Sequence, residues 1–355
     1  MKNTSTTMAP LVRSRFLAAT AGSALVAGLG GMRPANAAGE SRIPLNPLVK
    51  VKIGVISALF DSGSLIAYSK GYFRDEGLDV DVIVFPSSSE ASQAVGIGQI
   101  DVFSGAPNAG LFNAQTQGID VRVVASAGEN APGHGVISLV LRKDIVESGR
   151  YKTPADLKGM KIATGITQPS EWLTAAMAAG AGLAVTDVDF VGLGFANTIA
   201  AMSNKAIDGG SVNEPFATSL IEQAGGVRVA SMDKFRPRFP AGYLLYGTSL
   251  TKTNREAGRR YMIAYLRGLH DYKLAFGPEK RNTADVVALL KKYNMTITPE
   301  TPSMGVPDDG APSFTAVPEF AAWLQQIGAI KAQPDLKGLV DDSYRQYAIA
   351  RVKLS

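Results

Sequence analysis

The segment AIDGGSVNEPFATS, Ala206 to Ser219, sets an acid against a proline shortly after a pair of glycines. Glu214 and Pro215 follow a short β-like run and stand between an amide, Asn213, and an aromatic, Phe216. A carboxylate in such a loop suits four kinds of chemistry: a catalytic acid, a metal ligand, a ligand-binding group, or an acceptor that fixes the loop. The choice depends on what partners the rest of the chain supplies. A hydrolase needs a nucleophile, a base and an oxyanion stabiliser held together. The chain has only two histidines, His134 in a Pro-Gly-His-Gly loop and His270 in a helix-like stretch, and no Gly-x-Ser-x-Gly elbow. No catalytic residue is therefore assigned. There is no cysteine, which excludes disulfides, thiolate metal sites and cysteine nucleophiles. No His-rich or Cys metal spacing is present either, so no metal is expected. The acid pairs Asp308–Asp309 and Asp341–Asp342 read as solvated caps. Gly192-x-Gly194 is too short for a dinucleotide fingerprint and the glycines after Asp208 fit no phosphate loop, so no cofactor is expected. Non-covalent binding is the chemistry that remains.

The first residues read as an export signal. Lys2, Arg13 and Arg15 form a basic region, Phe16 to Gly31 is apolar and small, and Ala35-Asn36-Ala37 is a small-x-small cleavage site. Residues 1–37 are expected to be removed by cleavage. Arg13 and Arg15 are not adjacent, so the Sec and twin-arginine routes both stay open. The apolar run is Gly- and Ala-rich and shorter than the ~20 residues of a membrane span. Residues 1–37 hold four of the 36 Lys and Arg and no acid, leaving 32 bases against 31 acids. The mature chain is thus close to neutral, and the sequence pI of about 9.2 gives no support to a nucleic-acid partner. Without cysteine there is no site for a lipid anchor. The expectation is a free periplasmic protein.

The elements that must position a site come in two series. Val51–Ile56, Val80–Phe85, Ile100–Phe103, Val121–Val124 and Val136–Leu141 read as strands, with Leu65–Phe73 and Ser89–Gly96 as helices between them. The pattern restarts with strands at Lys161–Ala163 and Val188–Leu193 and helices at Trp172–Gly180 and Ile199–Ser203. Strand, helix, strand at this spacing predicts βαβ units and a mainly parallel sheet. Ala91–Ala109 and Thr198–Ala217 look like copies, each running from a small-residue helix through Ile-Asp to a short strand and a proline-bearing loop. Asp101 and Asp208 correspond in them. Tyr243–Tyr246 predicts a strand returning to the first lobe, followed by helices at Glu256–Phe276, Ala284–Tyr293 and Phe314–Ile327. Thr298–Pro312, with four prolines, must be a loop.

GYFRDEGLDVDV (Gly71–Val82), FPSSSEASQAVGIGQIDV (Phe85–Val102), TPADLKGMKIATG (Thr153–Gly165) and SVNEPF (Ser211–Phe216), in that order and spacing, resemble the solute-binding proteins of ABC importers for nitrate, sulfonates, taurine and the thiamine pyrimidine precursor. The resemblance runs from about Val51 to Gly247. It implies an α/β, type II periplasmic-binding-protein fold, two βα lobes joined by a two-stranded hinge and closing over a ligand. The lobes are expected at 50–142 plus 242–355 and at 143–241, with crossings near Arg142 and Gly242. The implied partners are a small organic anion and an ABC permease with its ATPase; the protein itself is expected to be a monomer and not an enzyme.

Ligands in open parallel sheets bind beyond the carboxyl ends of strands, where helices begin. Those turns carry Ser57, Ser87, Ser88, Ser104, Gly105, Asn108, Thr167, Ser170, Asn197, Asn213 and Glu214. Several stand just before helices, where hydroxyls cap and free N–H groups face an anion. Phe60, Trp172 and Phe195 lie beside the same turns. Each is either core or part of a slot for a flat, apolar body; the slot favours an aromatic sulfonate or carboxylate over bare nitrate. Asn213 is the better candidate to touch an anion. Glu214 would repel one, so it holds its loop or marks a ligand with a donor group. The alternative is a thiamine-type pyrimidine, bound or processed, with Glu214 accepting from its amino group and Trp172 stacking. A sensor-coupled binding protein has the same cleft.

Overall fold

The computed structural model describes residues 43–352, with the side chains of Phe195 and Ala196 left aside. The expected export signal at 1–37 lies outside the described residues. Strand β1 (Val49–Val55) shows the period-two pattern of a pleated surface, with Val51 and Ile53 buried and Lys50 and Lys52 exposed. Helix α1 (Ser62–Ser69) follows, then β2 (Leu78–Val84), α2 (Ser88–Gly96), β3 (Val102–Gly105), α3 (Ala109–Thr116) and β4 (Arg122–Ser126). The chain then crosses through β5 (Glu129–Asn130) to β6 (Ile137–Arg142), β7 (Lys161–Thr164), α4 (Pro169–Gly180), β8 (Asp189–Gly192), α5 (Phe195–Ser203), β9 (Gly209–Asn213), α6 (Phe216–Ala224) and β10 (Gly226–Ser231). It returns through β11 (Phe239–Pro240) to β12 (Tyr243–Tyr246), and ends in α7 (Arg255–Phe276), α8 (Thr283–Lys291), α9 (Val317–Gln326) and α10 (Ser343–Ile349).

Two five-stranded sheets result. Their orders, β2-β1-β3-β12-β4 and β8-β7-β9-β6-β10, are the same arrangement used twice. In each, the second strand pairs parallel with both neighbours, and the fourth runs antiparallel to the strands on either side. The sheets are therefore mixed where a mainly parallel one was expected, because each lobe's fourth strand arrives from the other lobe. The two acids of the suspected repeat occupy equivalent places. Asp101 accepts from the Lys52 N–H at 2.7 Å through its carboxylate, and Asp208 does the same for Lys161 at 2.8 Å. Their carbonyls accept from Gly247 and Arg142, which follow or end β12 and β6. An aspartate just before the third strand of each sheet thus fastens the chain to the strands on either side of it in both lobes.

The crossings sit elsewhere than Arg142. β6 pairs with β9 and β10 in the second sheet, so the change of lobe precedes Ile137. The hinge is the two-stranded sheet of β5 and β11, with Phe239 opposite Asn130 and Pro240 opposite Glu129. Buried Asn130 fastens it, donating to the Phe239 carbonyl at 3.1 Å and accepting from the Val136 and Ile137 N–H groups. Gly242 stands between β11 and β12, and its N–H donates to the Gly128 carbonyl at 3.3 Å.

Helix α7 supplies much of the first core. Met262, Tyr265, Leu266, Leu269 and Phe276 are buried on the face that their spacing predicts, and Asn254 caps its first turn by accepting from the Ala257 N–H at 3.0 Å. Gly268 lets α1 and α7 touch backbone to backbone: a Cβ there would lie 2.1 Å from the Gly63 carbonyl oxygen. Among the described residues no helix is long and apolar enough to cross a membrane.

Candidate functional site

A cavity of about 260 Å³ lies where the carboxyl ends of β7, β8 and β9 face the turn after β2. The first lobe contributes Pro86 to Ser89, and the second contributes Thr164, Gly165, Gln168, Ser170, Gly192, Gly194, Ser211 and Asn213 among others. Its walls are strand ends and helix starts, for a simple reason. In each βα unit the strand points its last residues outward and the chain must turn there to enter the helix.

Three helices begin at this cavity. Ser87, Gln168 and Gly194 are the N-caps of α2, α4 and α5, and all three line it. The first-turn N–H groups of a helix have no acceptor within the helix, and the aligned peptide dipoles make its N-terminus electropositive. Ser87 caps in the usual way, accepting from the Glu90 N–H at 3.3 Å. Gln168 and Gly194 make no side-chain cap. Pro169 at the head of α4 has no N–H to satisfy and a backbone angle suited to helix entry.

Three hydroxyl residues of the lining are tied to one another. Thr164 donates to the Ser170 hydroxyl at 3.0 Å, and Ser211 donates to the Ser170 carbonyl at 2.6 Å. All three residues are buried, so this part of the wall is polar and hydrogen-bonded within itself. No lining residue is ionisable. Close behind, Glu171 is buried and accepts from the Thr167 N–H at 2.5 Å; burial raises its pKa against the pull of that hydrogen bond.

Of the residues expected at the site, Ser87, Ser88, Ser170 and Asn213 line this cavity, and Asn108 and Thr167 line an adjoining groove. The others go elsewhere. Ser57 stands in a left-handed turn (φ 61°) whose flanking N–H groups, of Ile56 and Ala58, both donate to Asp61. Phe60 is core, its ring against Gly242. Ser104 and Gly105 are inside β3, buried and paired to β12, with Gly105 closed off by the Phe103 ring. Asn197 is exposed on the first turn of α5, and the Phe195 side chain is outside the described set.

Trp172 and Glu214 line neither the cavity nor the groove. The indole packs at 5.4–5.5 Å against the rings of Phe235, Phe239 and Phe320, with the Arg236 guanidinium over it, and it lines neither space. The Glu214 carboxylate is fully buried. It accepts from the Thr218 N–H at 3.0 Å and hydroxyl at 2.8 Å, and pairs with Arg228, which also reaches the Ser138 hydroxyl. Of the four roles open to it, fixing the loop is the one its contacts fill.

Sequence reasoning missed Gln168, Gly194, Thr164 and Ser211. Gln168 was findable as the residue before a helix-starting proline. Gly192 and Gly194, too short a pair for a nucleotide motif, both line the cavity, and Gly194 is the N-cap of α5.

A family model described as NMT1/THI5 like matches residues 62–274. A Brucella abortus (strain 2308) protein described as a binding protein is 26% identical over 250 residues, covering 69% of this chain and 73% of that one. Among solved structures, the alkanesulfonate-binding protein SsuA of Xanthomonas axonopodis pv. citri, bound to MOPS, superposes with a TM-score of 0.64 at 19% identity over 82% of this chain and 98% of that one. The nitrate-binding protein NrtA of Synechocystis PCC 6803 gives 0.69 at 15% identity, covering 86% and 89%. The desulfurization enzyme DSZB gives 0.57 at 12% identity, covering 85% and 99%. These structural likenesses establish the two-lobed periplasmic-binding fold, a scaffold that carries both binding and catalysis.

Proposed function

The chain belongs to the NMT1/THI5-like family, and we propose that this protein is the extracytoplasmic solute-binding component of an ABC importer, capturing a small organic anion, a sulfonate or carboxylate, in the interlobe cavity. One observation carries the reading: three helix N-caps from both lobes converge on a space with no ionisable side chain on its walls. First-turn N–H groups, which have no acceptor within their helix, and helix dipoles favour an anion there without a lysine or arginine. Binding draws the Ser87 turn and the second lobe together about the β5–β11 hinge. The closed form is stabilised by the difference in affinity between the two states. A membrane permease with its ATPase then reads the closed surface. The protein works as a periplasmic monomer, delivered by its export signal.

Aromatic preference loses its support, since Trp172 and Phe60 are committed to the core. The pyrimidine alternative loses both groups it relied on, because Glu214 is paired with Arg228 and Trp172 with Phe320. Isothermal calorimetry with nitrate, methanesulfonate, acetate and an aminopyrimidine tests the proposal. Binding of the sulfonate or the carboxylate supports it; binding of nitrate alone or the pyrimidine alone overturns it.

A further inference from the structure

A second space, of about 520 Å³, opens beside the first and is twice its size. It is a groove between two helices whose facing stripes share one spacing. From α2 come Ser89, Ser92, Gln93 and Gly96, at the i, i+3, i+4, i+7 positions of one helix face, with Ile97 as the C-cap beyond them. From α3 come Gly110, Asn113 and Ala114, with the C-cap Gln117 completing the same i, i+3, i+4, i+7 spacing. Ser89 lines both spaces, and Thr167 from the second lobe overhangs the groove, so the two volumes meet at the start of α2.

The groove changes character along its length. At the cavity end it offers hydroxyls and the amide of Asn108; at the far end it offers Ile97 and Ile119, which are 69% and 36% exposed. An isoleucine left in water on the wall of a concave space gains by being covered. From Ser89 to Ile97 is eight residues of helix, or about 12 Å. None of the groove's walls is charged.

Resting on the proposed function, we propose that this groove is a tail subsite: the ligand is an anion whose head sits among the three helix starts and whose neutral, chain-like tail runs along α2 to Ile97 and Ile119. Nitrate or acetate fills only the first volume. An unbranched amphipathic sulfonate or carboxylate fills both.

Calorimetry on the full chain with methane-, butane- and octanesulfonate tests this. Wild type is expected to bind octanesulfonate at least about tenfold tighter than methanesulfonate, because added methylenes leave water. Ala114→Trp fills the groove from α3. It should abolish that gain while methanesulfonate affinity stays within about twofold, as expected of separate subsites. Gly96→Leu, whose new Cβ has only Ile119 nearby at 3.8 Å, is the second variant and should also flatten the series. Equal affinity across chain lengths in wild type, or a gain that survives in both variants, overturns the tail subsite and leaves the head site standing. Failure of every sulfonate to bind, methanesulfonate included, removes the tail subsite together with the reading on which it rests.

Discussion

The indole of Trp172 lies 5.5 Å, centroid to centroid, from the ring of Phe320. Trp172 is carried by α4, which starts at the cavity; Phe320 is on α9 and also contacts Phe112 of α3 at 6.2 Å. Phe239, in the hinge strand, touches both. One aromatic cluster therefore joins the second lobe, the hinge and the helices of the first lobe. Trp172→Ala should destabilise the fold by about 3–5 kcal/mol, the usual cost of emptying an aromatic core position, and Trp172→Phe by much less. Urea unfolding followed by circular dichroism measures both. The tryptophans, Trp172 and Trp323, are both buried and line neither space, so saturating ligand should leave the fluorescence emission maximum unshifted. A large shift on binding would place an indole at the ligand after all.

Glu214 and Arg228 form the second relationship with a measurable consequence. The acid is fully buried and its partner is about a quarter exposed. Removing one member of such a pair leaves the other charge without compensation, at a cost of about 3–5 kcal/mol. Arg228→Met should reach that range. Glu214→Gln keeps an acceptor for the Thr218 N–H and should cost less. The double variant should cost less than the sum of the two, since residues in one network couple. Thermal or chemical unfolding of the four proteins closes the cycle; strict additivity would mean the pair does not hold the loop.

How much of this was legible in one dimension follows from distance along the chain. The Asp101 and Asp208 copies were readable because helix, Ile-Asp and strand lie together in each, and the structure gives both acids the same hydrogen bonds. Trp172 was not, because the residue that claims its ring stands 148 positions later. Glu214 looked free for chemistry because Arg228 reaches it from β10, on the far side of β6 from β9, and no local spacing shows that. The hinge was misplaced by one strand at its first crossing: Ile137–Arg142 has the composition of any buried strand, and only its partners reveal its lobe. Gln168 is not among the usual capping residues, so composition did not mark it as a helix start facing a ligand.

Asp61 gives the stability a pH dependence of known sign. Burial pushes its carboxyl from an ordinary 3.8 up to about 8, against the N–H groups of Ile56 and Ala58, which donate to it and pull the other way. Between those values the folded chain holds a proton that the unfolded chain releases. Stability is therefore greatest below the lower value and falls as pH rises toward 8, by at most about 1.4 kcal/mol per pH unit from this group. Asp61→Asn keeps an acceptor for both N–H groups and removes the titration. Glu129 and Glu171 are also raised by burial and act in the same direction, so the readout is the difference between wild type and variant. Urea midpoints across pH 4 to 8 should show wild type losing stability relative to Asp61→Asn. Parallel profiles would mean the buried carboxyl titrates normally.

A side chain placed in the cavity should block binding, and the position matters. From sequence the natural choice is Ser104, but Ser104 is buried inside β3 opposite Leu244; a tryptophan there would meet the core and unfold the protein before it met a ligand. Gly194 is the better place. It lines the cavity, caps α5 without a side-chain hydrogen bond, and has an ordinary extended conformation (φ −66°, ψ 154°). A Cβ added there would have nothing within 4 Å. Gly194→Trp should therefore lower affinity for methanesulfonate by at least about tenfold, as the bulk displaces the anion from the three helix starts. The melting temperature should fall by only a few degrees, about what a poorer N-cap costs. Calorimetry and differential scanning fluorimetry on the same preparation separate the two effects. Unchanged affinity in a folded Gly194→Trp protein would move the anion site away from the start of α5.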